Sequence, residues 1–240
     1  MSIRTHLTLD DFAKSDAYFN SMLNPQDPAL EAALQNSRAN GLPEIAVSIT
    51  QGKFLKITAQ SIKAKRILEV GTLAGYSSIW FARALPDDGK LITLELYDEY
   101  AKVARENLDH AGLSSKVDVK IGPALDTLKT LTPDEPFDLV FIDADWTNMP
   151  NYFKEAKRLT RKGAIIICDN VNRNGQTALQ PENNSTYTGQ LPHHFSPTDE
   201  GVKAIRSLVE QLKDDKEVEA TVLGLAQAKS FDGMLYAIKL

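Results

Sequence analysis

Several features that would assign this protein to a special class are scarce or absent in its 240 residues. Cys168 is the only cysteine, so no disulfide framework can form within the chain, and we expect a reducing, cytoplasmic location. No apolar run approaches the roughly 18 residues that a membrane span needs, and residues 1–12 have no apolar signal core. The sequence therefore predicts a protein without a membrane partner.

Positive charge is not concentrated in any segment of the sequence. The net charge is −5, and neither a run of Lys and Arg nor a basic face is apparent. Affinity for a phosphate backbone depends on clustered Lys and Arg, so nucleic acid is not an expected partner. The length is sufficient for a substantial core, and we expect a single domain over residues 1–240.

What is present is an alternation of short β-rich runs with helical runs from about residue 65 onward. The predicted strands span residues 66–71, 90–96, 116–122, 137–144 and 164–170, and the helices between them span 77–85, 98–112 and 150–159. Apolar strands that alternate with helices predict a parallel sheet covered on both faces. The runs 217–226 and 231–240 are only four residues apart, too close for a crossover helix, and predict an antiparallel hairpin.

The remaining segments complete the predicted domain. Residues 1–64 are predicted to form helices around 9–21, 27–40 and 51–63. These helices would form a layer on the predicted cofactor-binding core, residues 65–172. Residues 173–199 are rich in Asn, Gln, Thr and Pro. An irregular segment of this length is usually functional or disordered, and we expect an active-site loop. Residues 200–240 would supply a helix and the hairpin.

The first motif that carries chemistry is ILEVGTLAGYSS, residues 67–78. Glu69 ends a strand, Gly71 starts a turn and Gly75 precedes a helix, which is where open α/β sheets bind nucleotide-containing ligands. The spacing Gly-x-x-x-Gly differs from the dinucleotide fingerprint Gly-x-Gly-x-x-Gly. A carboxylate at Glu69 favours a ligand with an ammonium group, such as S-adenosylmethionine. The alternative is a glycine turn that only connects two elements.

Acidic side chains end three further strands. Glu95 lies 24 residues after Gly71, where acids bind ribose hydroxyls in nucleotide sites. Asp143 follows the fourth strand, and Asp169 with Asn170 follows the fifth, so all three side chains would point into one crevice. Two carboxylates and an amide suit a hard divalent cation, whereas zinc is disfavoured because no His or Cys pattern accompanies them. The alternative is that these are ordinary turn residues.

Together these segments resemble the cation-dependent O-methyltransferases, the group of catechol and caffeoyl-CoA O-methyltransferases. The resemblance rests on ILEVGTLAGYSS, LITLEL, FDLVFIDAD and IIICDN, and extends to VSITQGKFL (47–55) and the terminal FDGMLYAIKL. It covers nearly the whole chain apart from part of 173–199, and NVNRNG suggests a fungal or other microbial member. It implies a Rossmann-like class I S-adenosylmethionine-dependent methyltransferase, with a seven-stranded, mostly parallel α/β sheet, helices on both faces and a C-terminal antiparallel hairpin.

The resemblance also implies how S-adenosylmethionine would be bound. The residues that would contact its methionine end are Val47, Glu69, Gly71, Thr72 and Ser77. Glu95 would bind the ribose, and the adenine would be flanked by Leu96, Ala124 and Leu125. Asp143 would border the cofactor as well as the metal.

For the acceptor end, the resemblance implies one divalent cation on Asp143, Asp169 and Asn170, with Mg²⁺ in first place and Mn²⁺ or Ca²⁺ as alternatives. Asp145 and Asn174 would meet the substrate, a small aromatic ortho-dihydroxy compound of the flavonoid or caffeoyl type. The cation would lower the pKa of the hydroxyls during in-line methyl transfer. Family members are often dimers, so a homodimer is expected, with the N-terminal helices helping to shape the acceptor site.

One position departs from the family pattern. Family members commonly read Asp-Ala-Asp-Lys, with the lysine as general base, whereas this chain has Trp146, whose indole accepts no proton. Three interpretations are open. The metal alone acidifies the catechol and solvent takes the proton; or His193 or His194 of the long loop substitutes as base; or transfer is weak or redirected, with Trp146 as a stacking wall for the acceptor. The alternative for the two histidines is a solvated loop without a catalytic role.

Two rival functions follow from these observations. The first is a nicotinamide-dependent oxidoreductase on a similar sheet, which is disfavoured by the missing dinucleotide fingerprint and by the lack of an evident Tyr-Lys pair. The second is a protein that binds S-adenosylmethionine without efficient catalysis, which is motivated by Trp146.

Overall fold

The computed structural model describes residues 8–132, 136–173, 175–178, 199–226 and 231–240. Within these ranges the helices are α1 (Leu9–Leu23), α2 (Pro28–Ala39), α3 (Ile49–Ser61), α4 (Tyr76–Ala82), α5 (Asp98–His110), α6 (Ala124–Thr130), α7 (Met149–Leu159) and α8 (Glu200–Asp214). The strands are β1 (Arg66–Val70), β2 (Lys90–Glu95), β3 (Val117–Ile121), β4 (Phe137–Ile142), β5 (Thr160–Cys168), β6 (Val218–Ala226) and β7 (Phe231–Lys239).

The seven strands form one sheet in the order β3-β2-β1-β4-β5-β7-β6. Strands β1 to β5 pair in parallel, whereas β7 runs antiparallel to both β5 and β6. This arrangement confirms the predicted fold class, including the C-terminal antiparallel hairpin. The chain order reverses between β1 and β4, which is where open α/β sheets place their ligand crevice.

The core consists of two apolar layers on opposite faces of the sheet. Ile67 and Phe141 point to one face and pack in the same cluster as Phe81 of α4. Leu68 and Val140 point to the other face and cluster with Phe153 of α7. Successive residues of a strand alternate between faces, so strands that are covered on both sides must be apolar throughout. The central strands therefore form a rigid support for the side chains that follow their carboxyl ends.

Short sequence signals fix where the N-terminal helices begin. Thr8 caps α1 in a capping box with Asp11, and Ser48 caps α3 in the same way with Gln51. Asp27 caps α2, which has a proline in its first turn. None of the helices in the described ranges is long and apolar enough to cross a membrane.

Element boundaries differ from the predicted ones by up to four residues, most of all at β5. The short helix α6 was not predicted. Strand β5 begins at Thr160 rather than at 164, because Thr160 already pairs with Phe137 of β4, and a register shift follows before Leu139 pairs with Ile165. The same strand ends at Cys168 rather than at 170, since Asn170 has a left-handed backbone with φ of 58°.

Candidate functional site

A cavity of about 870 Å³ opens at the carboxyl ends of the parallel strands. The predicted site residues that line it are Val47, Gly71, Thr72, Ser77, Glu95, Leu96, Ala124, Leu125, Asp143, Asp145, Trp146, Asp169 and Asn170. Glu69 is not among the lining residues, and Asn174, His193 and His194 lie outside the residues that the structure describes. The cavity is large enough for a small cofactor together with an acceptor.

The turn after β1 brings the cavity wall close to the end of β4. Gly71 has a φ of 102°, and a Cβ added there would lie 1.9 Å from the carbonyl oxygen of Asp143. The Asp143 N–H donates to the carbonyl oxygen of Val70 at 2.8 Å. Only glycine satisfies both the backbone conformation and the close approach, so this residue sets the separation between the turn and Asp143.

Glu69 is completely buried beneath this turn. Its Oε2 accepts hydrogen bonds from the hydroxyls of Ser78 and Thr93, while its Oε1 has no hydrogen-bond partner in the structure. Burial raises the pKa of this carboxyl to about 6, although neighbouring hydroxyls act in the opposite direction. An unpaired buried carboxylate oxygen is costly. The predicted contact of Glu69 with the methionine end of the cofactor is not seen here, because the carboxyl lies beneath the turn and outside the lining of the cavity.

Glu95 connects the two loops that border the cofactor side of the cavity. Its Oε2 accepts from the N–H groups of Thr72 (3.2 Å) and Leu73 (2.8 Å). Its Oε1 accepts from those of Leu96 (2.9 Å) and Tyr97 (3.1 Å). A carboxylate has about four acceptor positions, so the chain's own backbone uses all of them. The predicted ribose contact would therefore have to share an acceptor position with one of these backbone N–H groups, and it stays a prediction.

Asp143 and Asp169 lie at neighbouring strand ends, because the Asp169 N–H donates to the carbonyl oxygen of Ile142. Burial raises the pKa of Asp143, and the charges of Glu69 and Asp232 raise it further. Burial and the charge of Asp143 raise the pKa of Asp169. A bound cation would reverse both shifts, because an opposite charge favours the ionised carboxylate. The donor chemistry fits a hard divalent cation.

The Asn170 side chain is oriented by Asp232. The Asn170 amide nitrogen donates to Asp232 Oδ2 at 3.5 Å, which leaves the amide oxygen as the atom that a cation can use. Asp232 Oδ1 accepts three backbone N–H groups, from Asn172, Arg173 and Gly233. Among the described residues no group of three or more His, Cys, Asp or Glu is arranged to hold a metal. The set of two carboxylates and one amide stays a prediction, and all three residues line the cavity.

Asp145 is engaged by its own chain. Its Oδ1 accepts from the backbone and side-chain nitrogens of Asn148, both at 3.0 Å, and its Oδ2 accepts from the hydroxyl of Tyr152. Burial and this contact with Asp145 raise the pKa of Tyr152. The predicted substrate-contacting carboxylate therefore also closes the short turn that carries Trp146 into the cavity wall.

Trp146 packs against a cation. The guanidinium carbon of Arg173 lies 3.7 Å from the centroid of the Trp146 ring, and its Nη1 donates to Asp199 at 2.6 Å. A Cβ added to Gly201 at the start of α8 would lie 2.9 Å from Trp146 Cβ. An arginine stays protonated at ordinary pH and an indole accepts no proton. This pair therefore fixes the turn at Trp146 to the start of α8 and provides no general base.

Sequence reasoning missed several residues of the cavity wall, among them Gln51, Tyr152, Arg173 and Asp232. Gln51 could have been noticed as the third residue of a capping box, and Asp232 as an isolated acid in an apolar strand. Arg173 is the only Lys or Arg among the described residues that line the cavity. No sequence signal pairs it with Trp146.

Comparisons with known proteins show what the whole chain is similar to. A family model described as O-methyltransferase matches residues 21–240. A catechol O-methyltransferase of Niastella koreensis is 43% identical over 229 residues, which cover 95% of this chain and 97% of that protein. One of Mycobacterium tuberculosis is 43% identical over 223 residues, covering 93% and 94%. The crystal structure of an O-methyltransferase from Bacillus cereus in complex with SAH aligns with a TM-score of 0.87 at 39% identity, covering 97% of this chain and 100% of that one.

Proposed function

The chain belongs to the O-methyltransferase family, and from that premise we propose that it methylates one hydroxyl of a vicinal diphenol with the help of a divalent cation. Its activity is S-adenosylmethionine-dependent O-methylation. The observation that carries the proposal is the position of Asp143, Asp169 and Asn170, which line the same cavity as the turn at Gly71. The names of both catechol O-methyltransferase relatives support the acceptor class.

In the proposed reaction a phenolic oxygen of the acceptor attacks the sulfonium methyl group in line. A carbon–oxygen bond forms, the carbon–sulfur bond breaks, S-adenosylhomocysteine leaves and the hydroxyl proton is released. When bound at Asp143, Asp169 and Asn170, a divalent cation lowers the pKa of the acceptor's hydroxyls and fixes their position. No covalent intermediate with the protein is needed, so catalysis depends on proximity and alignment.

The protein's own residues supply that alignment. The close approach at Gly71 places the turn after β1 against Asp143. The buried carboxylate of Glu69 connects β1 to Ser78 of α4 and to Thr93 of β2, and Glu95 fixes the flanking loops. These assignments for S-adenosylmethionine are proposals that rest on burial and hydrogen bonding around the cavity.

The acceptor's proton has no recipient at position 146. Trp146 and Arg173 stack on each other and neither takes up a proton. We therefore favour release of the proton to solvent from a hydroxyl that the cation has acidified. The guanidinium covers one face of the indole, so only the other face is left to stack on a flat acceptor.

A second candidate is a protein of this family whose methyl transfer is weak or redirected. The observation that favours it is again the Trp146–Arg173 stack, which occupies the corner next to Asp145. Family membership leaves the nicotinamide-dependent alternative without support.

The test of the acceptor class is a methylation assay with Mg²⁺ and S-adenosylmethionine, read by mass spectrometry of the product. The acceptors are catechol, caffeate and a catechol flavonoid, with resorcinol and a monophenol as matched controls. We expect methyl ethers from the ortho-diphenols only. Equal methylation of resorcinol would contradict the acceptor class, and absence of every product together with tight cofactor binding would favour the second candidate.

We also propose a homodimer. Helix α1 exposes four large apolar side chains, Tyr18, Phe19, Met22 and Leu23, each more than half accessible. Exposed apolar patches of this kind mark interaction surfaces. Light scattering after size-exclusion chromatography should give twice the chain mass of 26.5 kDa, and the mass of a monomer would contradict the proposal.

A further inference from the structure

Gln51 connects the N-terminal helical layer to the candidate cation site. Its Nε2 lies 3.3 Å from Oδ1 and 3.2 Å from Oδ2 of Asp169, a residue 118 positions away along the chain. Its Oε1 accepts the backbone N–H of Ser48 at 3.0 Å. Gln51 is 6% exposed and Asp169 is 3% exposed. The amide is therefore held at one end by the capping box of α3 and donates from the other end to the carboxylate.

This contact determines how Asp169 presents its oxygens. The Asp169 carboxylate also accepts the N–H of Asn170 at 2.9 Å on Oδ1. The side-chain amide bonds to both oxygens and a backbone N–H bonds to one. Rotation about the Cβ–Cγ bond would therefore break hydrogen bonds between largely buried groups, which is costly. The carboxylate plane is fixed before any ligand arrives.

The chemical nature of the donor matters as well. A Lys or Arg at this position would orient Asp169 equally well, but its positive charge would compete with a cation for the carboxylate. A second carboxylate could not donate when ionised. A neutral amide donates without adding charge, which is the property expected of a group that supports a metal ligand from behind.

We infer that Gln51 is a positioning residue for the cation: it fixes the carboxylate of Asp169, so that metal affinity depends on a residue of the N-terminal helical layer. This inference rests on the cation of the proposed function. It assigns a role to the start of α3 beyond helix capping.

The test is the affinity of the purified chain for Mn²⁺, which is measured through the electron paramagnetic resonance signal of the free ion. This measurement does not depend on catalysis. Gln51→Leu should weaken Mn²⁺ binding about 10- to 100-fold, the range typical for loss of a group that orients a ligand. Gln51→Met, which keeps the side-chain length, should do the same and serves as the second variant if the first folds poorly.

Two controls separate this contact from general effects. Gln60→Leu makes the same change at an exposed position of the same helix and should leave the Mn²⁺ dissociation constant within about twofold. Ser48→Ala removes the cap oxygen that accepts from the Gln51 backbone N–H. It leaves the Gln51–Asp169 contact in place, so it should lower the melting temperature without weakening Mn²⁺ binding.

Two results would overturn the inference while leaving the proposed function intact: Mn²⁺ binding by both Gln51 variants within twofold of wild type, or a loss in Ser48→Ala as large as in Gln51→Leu. Absence of Mn²⁺ binding by the wild-type chain would instead contradict the cation of the proposed function, and the inference with it.

Discussion

Replacing Glu95 by glutamine tests whether one carboxylate holds together the cofactor side of the cavity. The carboxylate accepts four backbone N–H groups, two from the turn after β1 and two from the start of the loop after β2. Glutamine has nearly the same shape but only one acceptor oxygen. Whichever way the amide is turned, its NH₂ group faces one pair of backbone donors, and that pair loses its acceptor.

The size of the effect follows from this count. Each buried donor without a partner costs about 1–3 kcal/mol, and hydrogen bonds to a neutral oxygen are weaker than those to a charged one. Some of these N–H groups are only part-buried, which reduces the loss. We expect the free energy of unfolding to fall by about 2–4 kcal/mol. For a chain of this length that lowers the melting temperature by about 5–15 °C.

The assay is thermal unfolding by circular dichroism without ligand, followed by calorimetric titration with S-adenosylhomocysteine. Glu210→Gln is the matched control, since Glu210 is an exposed residue of α8 and its change should be within about 0.5 kcal/mol. We also expect Glu95→Gln to bind S-adenosylhomocysteine more weakly. A melting temperature equal to that of the control would show that the Glu95 carboxylate does not hold the two loops together.

Three further predictions follow from the site. Gly71→Ala places a Cβ 1.9 Å from the Asp143 carbonyl oxygen and should abolish S-adenosylhomocysteine binding measured by calorimetry, whereas Gly112→Ala, which has a similar positive φ but open space around it, should bind normally. Burial raises the pKa of Glu69 to about 6 from 4.5, so the folded ligand-free chain keeps this proton to a higher pH than the unfolded chain, and the stability that the proton contributes is lost as the pH rises through 6. The melting temperature of Glu69→Gln should therefore fall less steeply between pH 4.5 and 6.5 than that of the wild type. An equal fall in both proteins would contradict the raised pKa of Glu69. Trp146→Ala removes the face on which Arg173 stacks and should lower the free energy of unfolding by about 1–2 kcal/mol in urea titration, whereas no change would mean that the stack is incidental.

The sheet and one corner of the site could be predicted from the sequence because their signals are local. Apolar strands alternate with helices, and Asp143 and Asp169 follow directly on two of those strands. Parallel pairing then places both carboxylates at one edge of the sheet. The antiparallel hairpin followed from the short connection alone.

The contacts that support the site could not be predicted, because they join distant parts of the chain. Gln51 and Asp169 are 118 residues apart, and Asn170 and Asp232 are 62 apart. Each of these polar residues has an adequate local explanation as a cap or a strand residue, so nothing in the sequence indicates its second partner. The partner of Trp146 could not be predicted either, because its contact with Arg173 depends on the packing of the turn at Trp146 against the start of α8.

The measurement that tests the central claim most directly is methylation of catechol by the purified chain after treatment with EDTA and again after addition of excess Mg²⁺. It should be made on the wild type and on Asp143→Ala and Asp169→Ala. We predict that EDTA abolishes activity, that Mg²⁺ restores it in the wild type only, and that both variants keep the circular dichroism spectrum of a folded protein. Full activity in EDTA, or wild-type rates in both variants, would contradict a cation-dependent mechanism at this site.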